Sequence, residues 1–264
     1  MSPRLMWLPD VLAGAGLKVS LVDGWQTRGQ DSLGRILGVI CHYTATPDTR
    51  RNMPTLDLLV RGRSDLPGPL SQLGLGRDGT FYVIASGRAN HAGRGEWNGI
   101  TAGNTNLIGI EAENSGRRDD VWPAVQLDAY YRGVAAILRE VGRSAASCCG
   151  HREYARPSGR KSDPNLEMDE FRRRVAAIIG GSAPLPVLIP VAESGGRSRR
   201  TLRRGDTGEL VTELQQRLGM PDSQAVFGPK TEAVVREFQR SLGMVPDGIV
   251  GPKTWAALDV QRVT

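Results

Sequence analysis

The sequence predicts an α/β protein, a mixed central sheet flanked by helices, followed by a small domain of three helices. Three observations carry that expectation. Short apolar runs rich in β-branched residues and closed by turn formers, such as "ILGVICHYTATPD", read as buried strands. They alternate with segments of helical period, which is the pattern of a sheet with helices packed on it. A Pro- and Gly-rich stretch, "GGSAPLPVLIPVAESGGRSRR" at residues 180–200, has neither period and reads as a linker. The expected organisation is an N-terminal extension at residues 1–34 packed on the main domain, a main domain at 35–180, a linker at 181–200 and a small domain at 201–264.

Within the extension, "LPDVLAGAGLKVSLVDGW" suggests a short helix and a strand attached to the main sheet. The run from Ile36 to Cys41 is a strand with His42 at its mouth, where Thr, Pro and Asp break it. "SQLGLGRDGTFYVIASG" reads as a hairpin turning at Asp78-Gly79, with Phe81, Tyr82, Val83 and Ile84 in its second strand. "LIGIEAE" at 107–113 is another strand. From 125 to 141, Val125, Leu127, Tyr131, Val134, Ile137, Leu138 and Val141 recur near helical spacing, and Gly142 is the stop. "AASCCGHREY" is a short strand leading into a loop, and "MDEFRRRVAAIIGG" is a closing helix with acids in its first turn. In the small domain Leu210, Leu214 and Leu218 share one helix face, and "GPKT" at Gly228 and again at Gly251 opens a helix each time.

Composition narrows the function. Basic residues outnumber acidic ones, 34 to 28, and Arg197, Arg199, Arg200, Arg203 and Arg204 lie together without an acid between them. Such a run is either a solvated linker or a point of attraction for a polyanion: nucleic acid, a membrane surface or an anionic cell wall. Aromatics are only 5%, and no basic helix interleaves stacking residues, which speaks against nucleic acid. Three cysteines, Cys41, Cys148 and Cys149, make no disulfide framework and point to a reducing compartment. No stretch approaches the roughly 18 apolar residues of a membrane span, so no stable membrane insertion is expected. Pro9 and Asp10 interrupt any signal core at the start. The expectation is synthesis and folding in a cytoplasm, with no signal peptide or transmembrane segment.

His42, His91 and His151 are the only histidines, and two of them, His42 and His151, follow short apolar strands. Asp163 precedes Pro164, which favours an extended backbone and points Lys161 and Asp163 to the same side. Two imidazoles and one carboxylate are the inventory of a catalytic zinc site that leaves a fourth position for water. The competing reading for His42 is a ring hydrogen-bonded to a neighbouring carbonyl. Strand alternation sends Ile108, Ile110 and Ala112 to one face and Gly109, Glu111 and Glu113 to the other. Glu111 is therefore either a base for metal-activated water or a solvated carboxylate on an open sheet face. The cysteines beside the two histidines are either thiolate ligands or small buried strand residues.

"ICHYTA", "NHAG", "IGIEAEN" and "GHREYARPSGRKSDPN" together resemble the type 2 N-acetylmuramoyl-L-alanine amidases, the zinc amidases of phage lysins, bacterial amidases and peptidoglycan-recognition proteins. The resemblance spans roughly residues 35 to 180, and "GHRE…GRKSDP" is its most specific part. It implies Zn²⁺ ligands at His42, His151 and Asp163, transition-state assistance from Lys161, a general base at Glu111, and a place beside the substrate cleft for His91. Some relatives use a tyrosine on the strand before the Arg-Asp-Gly turn. Ser71 stands near that position here, which moves the burden to Glu111. The small domain is similar to the three-helix peptidoglycan-binding domain of wall hydrolases. The resemblance implies a zinc-dependent hydrolase of the lactyl–L-alanine amide in peptidoglycan. The implied setting is a phage endolysin held in the host cytoplasm until a holin gives it access to the wall. A non-catalytic peptidoglycan-recognition protein, or a wall peptidase on the same scaffold, is the alternative.

Overall fold

The computed structural model describes residues 4–30, 33–182, 199–220, 225–242, 244–251, 254–255 and 257–258. Most of the expected linker, Arg197 and part of the expected third helix of the small domain lie outside them. The chain divides into two compact units, Met1–Ile189 and Pro190–Thr264.

In chain order the first unit runs α1 (Leu8–Gly14), β1 (Lys18–Leu21), β2 (Gly38–Tyr43) and α2 (Leu56–Arg61). A two-stranded hairpin of β3 (Gly62–Arg63) and β4 (Leu66–Pro67) follows, then β5 (Leu73–Leu75), β6 (Thr80–Val83), α3 (Gly103–Asn106) and β7 (Leu107–Ala112). The unit closes with α4 (Ala124–Glu140), β8 (Cys148–Gly150), α5 (His151–Tyr154) and α6 (Met168–Ile179). Six strands form one sheet in the order β1-β6-β5-β7-β2-β8. β5 and β6 pair antiparallel around the Asp78-Gly79 turn, where Gly79 adopts φ +78° and Asp78 Oδ1 accepts the Thr80 N–H at 2.9 Å. β5, β7, β2 and β8 run parallel. The sheet is therefore mixed, with helices on it, as the alternating periods predict.

Strand alternation sorts the side chains. Val39 and Cys41 of β2, Ile108, Ile110 and Ala112 of β7 and Cys148 of β8 enter one core with Leu8 and Leu12 of α1, Tyr130 and Val134 of α4, and Phe171 and Val175 of α6. Each fully buried Leu, Ile or Phe contributes about 1.5–3 kcal/mol of apolar transfer. On α4, Val134, Ile137 and Leu138 are buried as the spacing predicts, while Gln126, Ala129 and Tyr130 take the buried face in place of Val125, Leu127 and Tyr131. Tyr130 is fully buried and Tyr131 only partly, because α4 crosses so close to β6 that a Cβ on Gly133 would lie 2.3 Å from the Phe81 ring. Ile40, Leu107 and Cys149 point to the opposite face, against Ala92 and Tyr154.

After β8 the chain enters a one-turn helix, α5, where a loop is expected. The cause is local. Glu153, at the third helical position, turns back to accept the Gly150 N–H at 2.8 Å. α1 and β1, from the extension, belong to the same core and sheet as the rest of the unit. No helix among the described residues is long and apolar enough to cross a membrane.

The second unit contains α7 (Glu209–Arg217) and α8 (Pro229–Ser241), and Thr254, Trp255, Ala257 and Leu258 are also helical. Its core is Leu202, Val211, Leu214, Phe227, Val235, Val250, Trp255 and Leu258. The repeated "GPKT" corresponds to a repeated hydrogen-bond peg. Gln215 Nε2 donates to Val226 O at 2.9 Å and Thr231 Oγ1 at 3.0 Å, while Gln239 Nε2 donates to Ile249 O at 2.9 Å and Thr254 Oγ1 at 3.3 Å. The turn before each peg carries a left-handed residue, Ala225 at φ +54° and Gly248 at φ +73°. Three arginines near the start of the unit are paired, Arg199 with Glu213 at 3.0 Å, Arg200 with Asp206 at 3.0 Å and Arg204 with Glu232 at 3.4 Å. They lack acids in sequence but find them in space.

Candidate metal centre and cleft

β2 lies between β7 and the edge strand β8, and His42, at its penultimate position, is 1% exposed. β7 sets Glu111 directly beside it, since the register pairs His42 with Glu111. β8 lies on the other side of β2 and delivers His151 as the first residue of α5. That start is held firmly: Arg172 of α6 donates to both Glu153 oxygens at 2.9 Å and to Cys148 O at 3.2 Å. The loop after α5 returns Asp163, whose carbonyl accepts the Arg152 N–H at 2.7 Å.

Three donor atoms converge. His42 Nδ1 lies 3.0 Å from His151 Nδ1 and 3.0 Å from Asp163 Oδ2, and His151 Nδ1 lies 3.1 Å from the same oxygen. Among the described residues these three form a group with the spacing of a metal site. Zinc bonds nitrogen and oxygen at about 2.0–2.2 Å, so an ion set to one side of this triangle reaches all three donors. The proton positions agree. His151 Nε2 is 3.0 Å from Ala92 O, an acceptor only, so Nε2 carries the hydrogen and the Nδ1 lone pair faces the centre. His42 Nε2 faces His91 Nδ1 at 3.4 Å, which leaves His42 Nδ1 likewise directed inward. The donor set fits a zinc ion.

The electrostatics of the site follow from burial. Burial, then the neighbouring His151, lowers the His42 pKa to about 4, so the ring is neutral at pH 7. Burial pushes Asp163 upward, but in the metal-free protein, where Nδ1 can carry a proton, contacts with His151 and His42 outweigh it and hold the carboxyl well below the usual range. Glu111 is pushed well above the usual carboxylate range, by burial first and then by Asp163. Its Oε1 is 3.9 Å from His42 Nδ1, and its Oε2 is buried with no hydrogen-bond partner among the described residues. An orphaned carboxylate oxygen beside three converging ligand atoms is unusual for a purely structural residue.

Glu111, His151 and Asp163 line a cleft of about 320 Å³. Tyr43, Arg160, Lys161 and Ser162 line one part of it, and Arg63, Leu66, Leu70 and Asn90 another. Lys161 and Asp163 both line it, while Ser71 is buried with its hydroxyl donating to Leu73 O at 3.0 Å. His91 reaches the cleft but is only 8% exposed, and its ring packs edge-on against His42 at 5.4 Å. Gly109 makes room for it, since a Cβ there would come 2.6 Å from the His91 ring. The three cysteines are buried and free, and Cys41 Sγ is 3.5 Å from Cys148 Sγ on the core side of the sheet. Contact with Cys41 and then burial keep Cys148 protonated, and burial does the same for Cys149. Sequence reasoning missed the Ala92 carbonyl and the Arg63 hairpin. The first is a backbone atom of the "NHAG" turn, and the second comes from a two-residue strand without a pattern of its own.

A sequence profile of the N-acetylmuramoyl-L-alanine amidase family matches residues 32–166. A second, described as "Putative peptidoglycan binding domain", matches residues 207–258. The N-acetylmuramoyl-L-alanine amidase CwlL of Bacillus licheniformis is 22% identical over 254 residues, covering 88% of this chain and 68% of that protein. The zinc D-Ala-D-Ala carboxypeptidase of Streptomyces albus G is 44% identical over 62 residues, 21% of this chain, and the chain spans only 24% of its length. Among solved structures, the complex of the E. coli amidase AmiD with anhydro-N-acetylmuramic acid-L-Ala-D-gamma-Glu-L-Lys is 18% identical, with a TM-score of 0.44, covering 88% of this chain and 90% of that one.

Proposed function

The chain belongs to the N-acetylmuramoyl-L-alanine amidase family, and from that premise we propose that it hydrolyses the amide joining the lactyl group of N-acetylmuramic acid to L-alanine in bacterial peptidoglycan. The observation that carries the reading is the meeting of His42, His151 and Asp163 donor atoms beside the Glu111 carboxylate, with Glu111, His151 and Asp163 lining a cleft. His42, His151 and Asp163 are assigned to Zn²⁺, which when bound polarises a carbonyl and makes water more acidic.

Glu111 takes the proton of the attacking water and delivers it to the departing amine nitrogen. Lys161, on the cleft wall, offsets negative charge developing on the carbonyl oxygen. His91 sits behind His42 and contributes to the substrate side of the cleft through its exposed edge. The second unit holds the enzyme on the wall, and the matching family supports that role. Within this reading the setting is a phage lysin that reaches the wall through a holin.

Mass spectrometry of digested wall tests the activity. Free muramic lactyl groups and new L-alanine amino termini are expected. New termini elsewhere in the peptide would make the chain a peptidase, and no products would make it a binder. Elemental analysis should give about one zinc per chain.

A further inference from the structure

Tyr130 lies on α4, on the face of the sheet opposite the cleft, and is fully buried. Its ring packs edge-on against Phe171 at 5.1 Å and tilted against Trp122 at 6.4 Å. A phenylalanine ring would fill the same space without burying an oxygen, and a buried hydroxyl costs stability unless it is hydrogen-bonded. The partners of this hydroxyl are backbone groups of the two strands that carry the site. The His42 N–H donates to it at 3.0 Å, and it lies 3.1 Å from both His42 O and Ile110 O. With one proton, it donates to one of those carbonyls while accepting from the amide.

The register makes the location specific. Cys41 pairs with Ile110 and His42 with Glu111, so the hydroxyl joins β2 to β7 at the step that presents His42 and Glu111 to the cleft. A shift of β2 at this step enters directly into the 3.9 Å separation of His42 Nδ1 from Glu111 Oε1 and, through His42, into the donor triangle. Bonds from a metal to its ligands keep within about 0.2 Å of their ordinary lengths, so the placement of His42 matters. We propose that Tyr130 is a positioning residue for the metal centre, its hydroxyl fixing from behind the sheet the placement of His42 relative to Glu111. This rests on the reading of His42 as a zinc ligand.

The test uses the full chain and Tyr130→Phe, which keeps the ring. Zinc dissociation is measured by chelator competition, kcat and KM on a soluble muropeptide, and Tm by calorimetry. Zinc binding is expected to weaken about 10- to 100-fold, the range for groups that orient a ligand without touching the metal. kcat should fall with KM little changed. Phe171→Leu loosens the same core but leaves the hydroxyl. It should lower Tm and keep zinc affinity within about 3-fold of wild type, well short of that range. A Tyr130→Phe chain with lowered Tm but unaltered zinc affinity and kcat overturns the inference. Amide hydrogen exchange on the wild type gives a check independent of any variant. A protected His42 amide supports the bridge, and exchange at the rate of the loops overturns it. A wild-type chain that binds no zinc defeats the metal assignment first and the inference with it.

Discussion

Replacing Glu111 by glutamine separates catalysis from architecture more cleanly than any other single change. The substitution is nearly isosteric and replaces the carboxyl of a side chain that is 16% exposed. The nearest cationic candidate is His42, 3.9 Å away, but a pKa of about 4 leaves that ring neutral at pH 7, so no ion pair is lost. Burial and then Asp163 disfavour the charged carboxylate and together outweigh the attraction of Lys161. In a carboxyl whose folded pKa is raised, stability declines as pH rises past the unfolded value, and a neutral amide escapes that decline. The metal-free Glu111→Gln chain should therefore be as stable at pH 7 as wild type, or more so. Loss of a positioned base costs about 10²–10⁴ in rate, which is about 2.7–5.4 kcal/mol in the barrier. Wall clearing and product release report the rate, with chelated and zinc-loaded samples compared by calorimetry. A variant clearing walls within about 3-fold of wild type would fall well outside that range and remove Glu111 from the mechanism. A metal-free variant destabilised by more than about 1 kcal/mol would refute the account of an unpaired buried carboxylate.

Acid should weaken the metal-free protein through His42. Its folded pKa lies below the ordinary 6.5, so the folded state holds fewer protons between pH 6.5 and 4, and about 3 kcal/mol of stability is lost over that window in urea titrations, a slope that His42→Gln should lack. Asp163→Ala should shed zinc more readily than any substitution at Cys148, as chelator competition will show, because Asp163 contributes to the donor triangle and Cys148 faces the core. Arg172→Ala leaves Glu153 and the start of α5 unheld and should cost about 2–3 kcal/mol, less than for a fully buried pair, with Tm lower by roughly 4–12 °C. Ala225→Gly should raise the stability of the second unit by up to about 1 kcal/mol in calorimetry, since Gly248 occupies the equivalent left-handed position in the other peg.

The strands that matter were legible because each carries its own pattern. Alternation in "LIGIEAE" already separates Ile108 and Ile110 from Glu111, and the structure sends these side chains to opposite faces. Which carboxylate stands beside which histidine was not legible, because pairing of β2 with β7 is a property of two segments almost seventy residues apart in number and of no local signal. The one-turn helix α5 was written in the Glu153 cap, yet a single capping residue competes poorly with the loop signature of Gly150 and Pro157. Tyr130 and Tyr131 both fit a helical stripe, and only the close passage of α4 over Phe81 decides which of them is buried deepest.

β2, β7 and β8 run the same way, and His42, Glu111 and His151 stand at or just beyond their carboxyl ends. The segments that leave these three strands consequently start from a single rim, and the one after β8 also returns Lys161 and Asp163 to the site. On the other two, Glu113 accepts from Thr44 and Thr55 and Asp120 pairs with Arg77, which ties the loop roots to the sheet. A library of grafts confined to the more exposed stretches between those anchors, residues 47–51 and 117–119, would thus explore new wall chemistries while the reacting groups stay where they are.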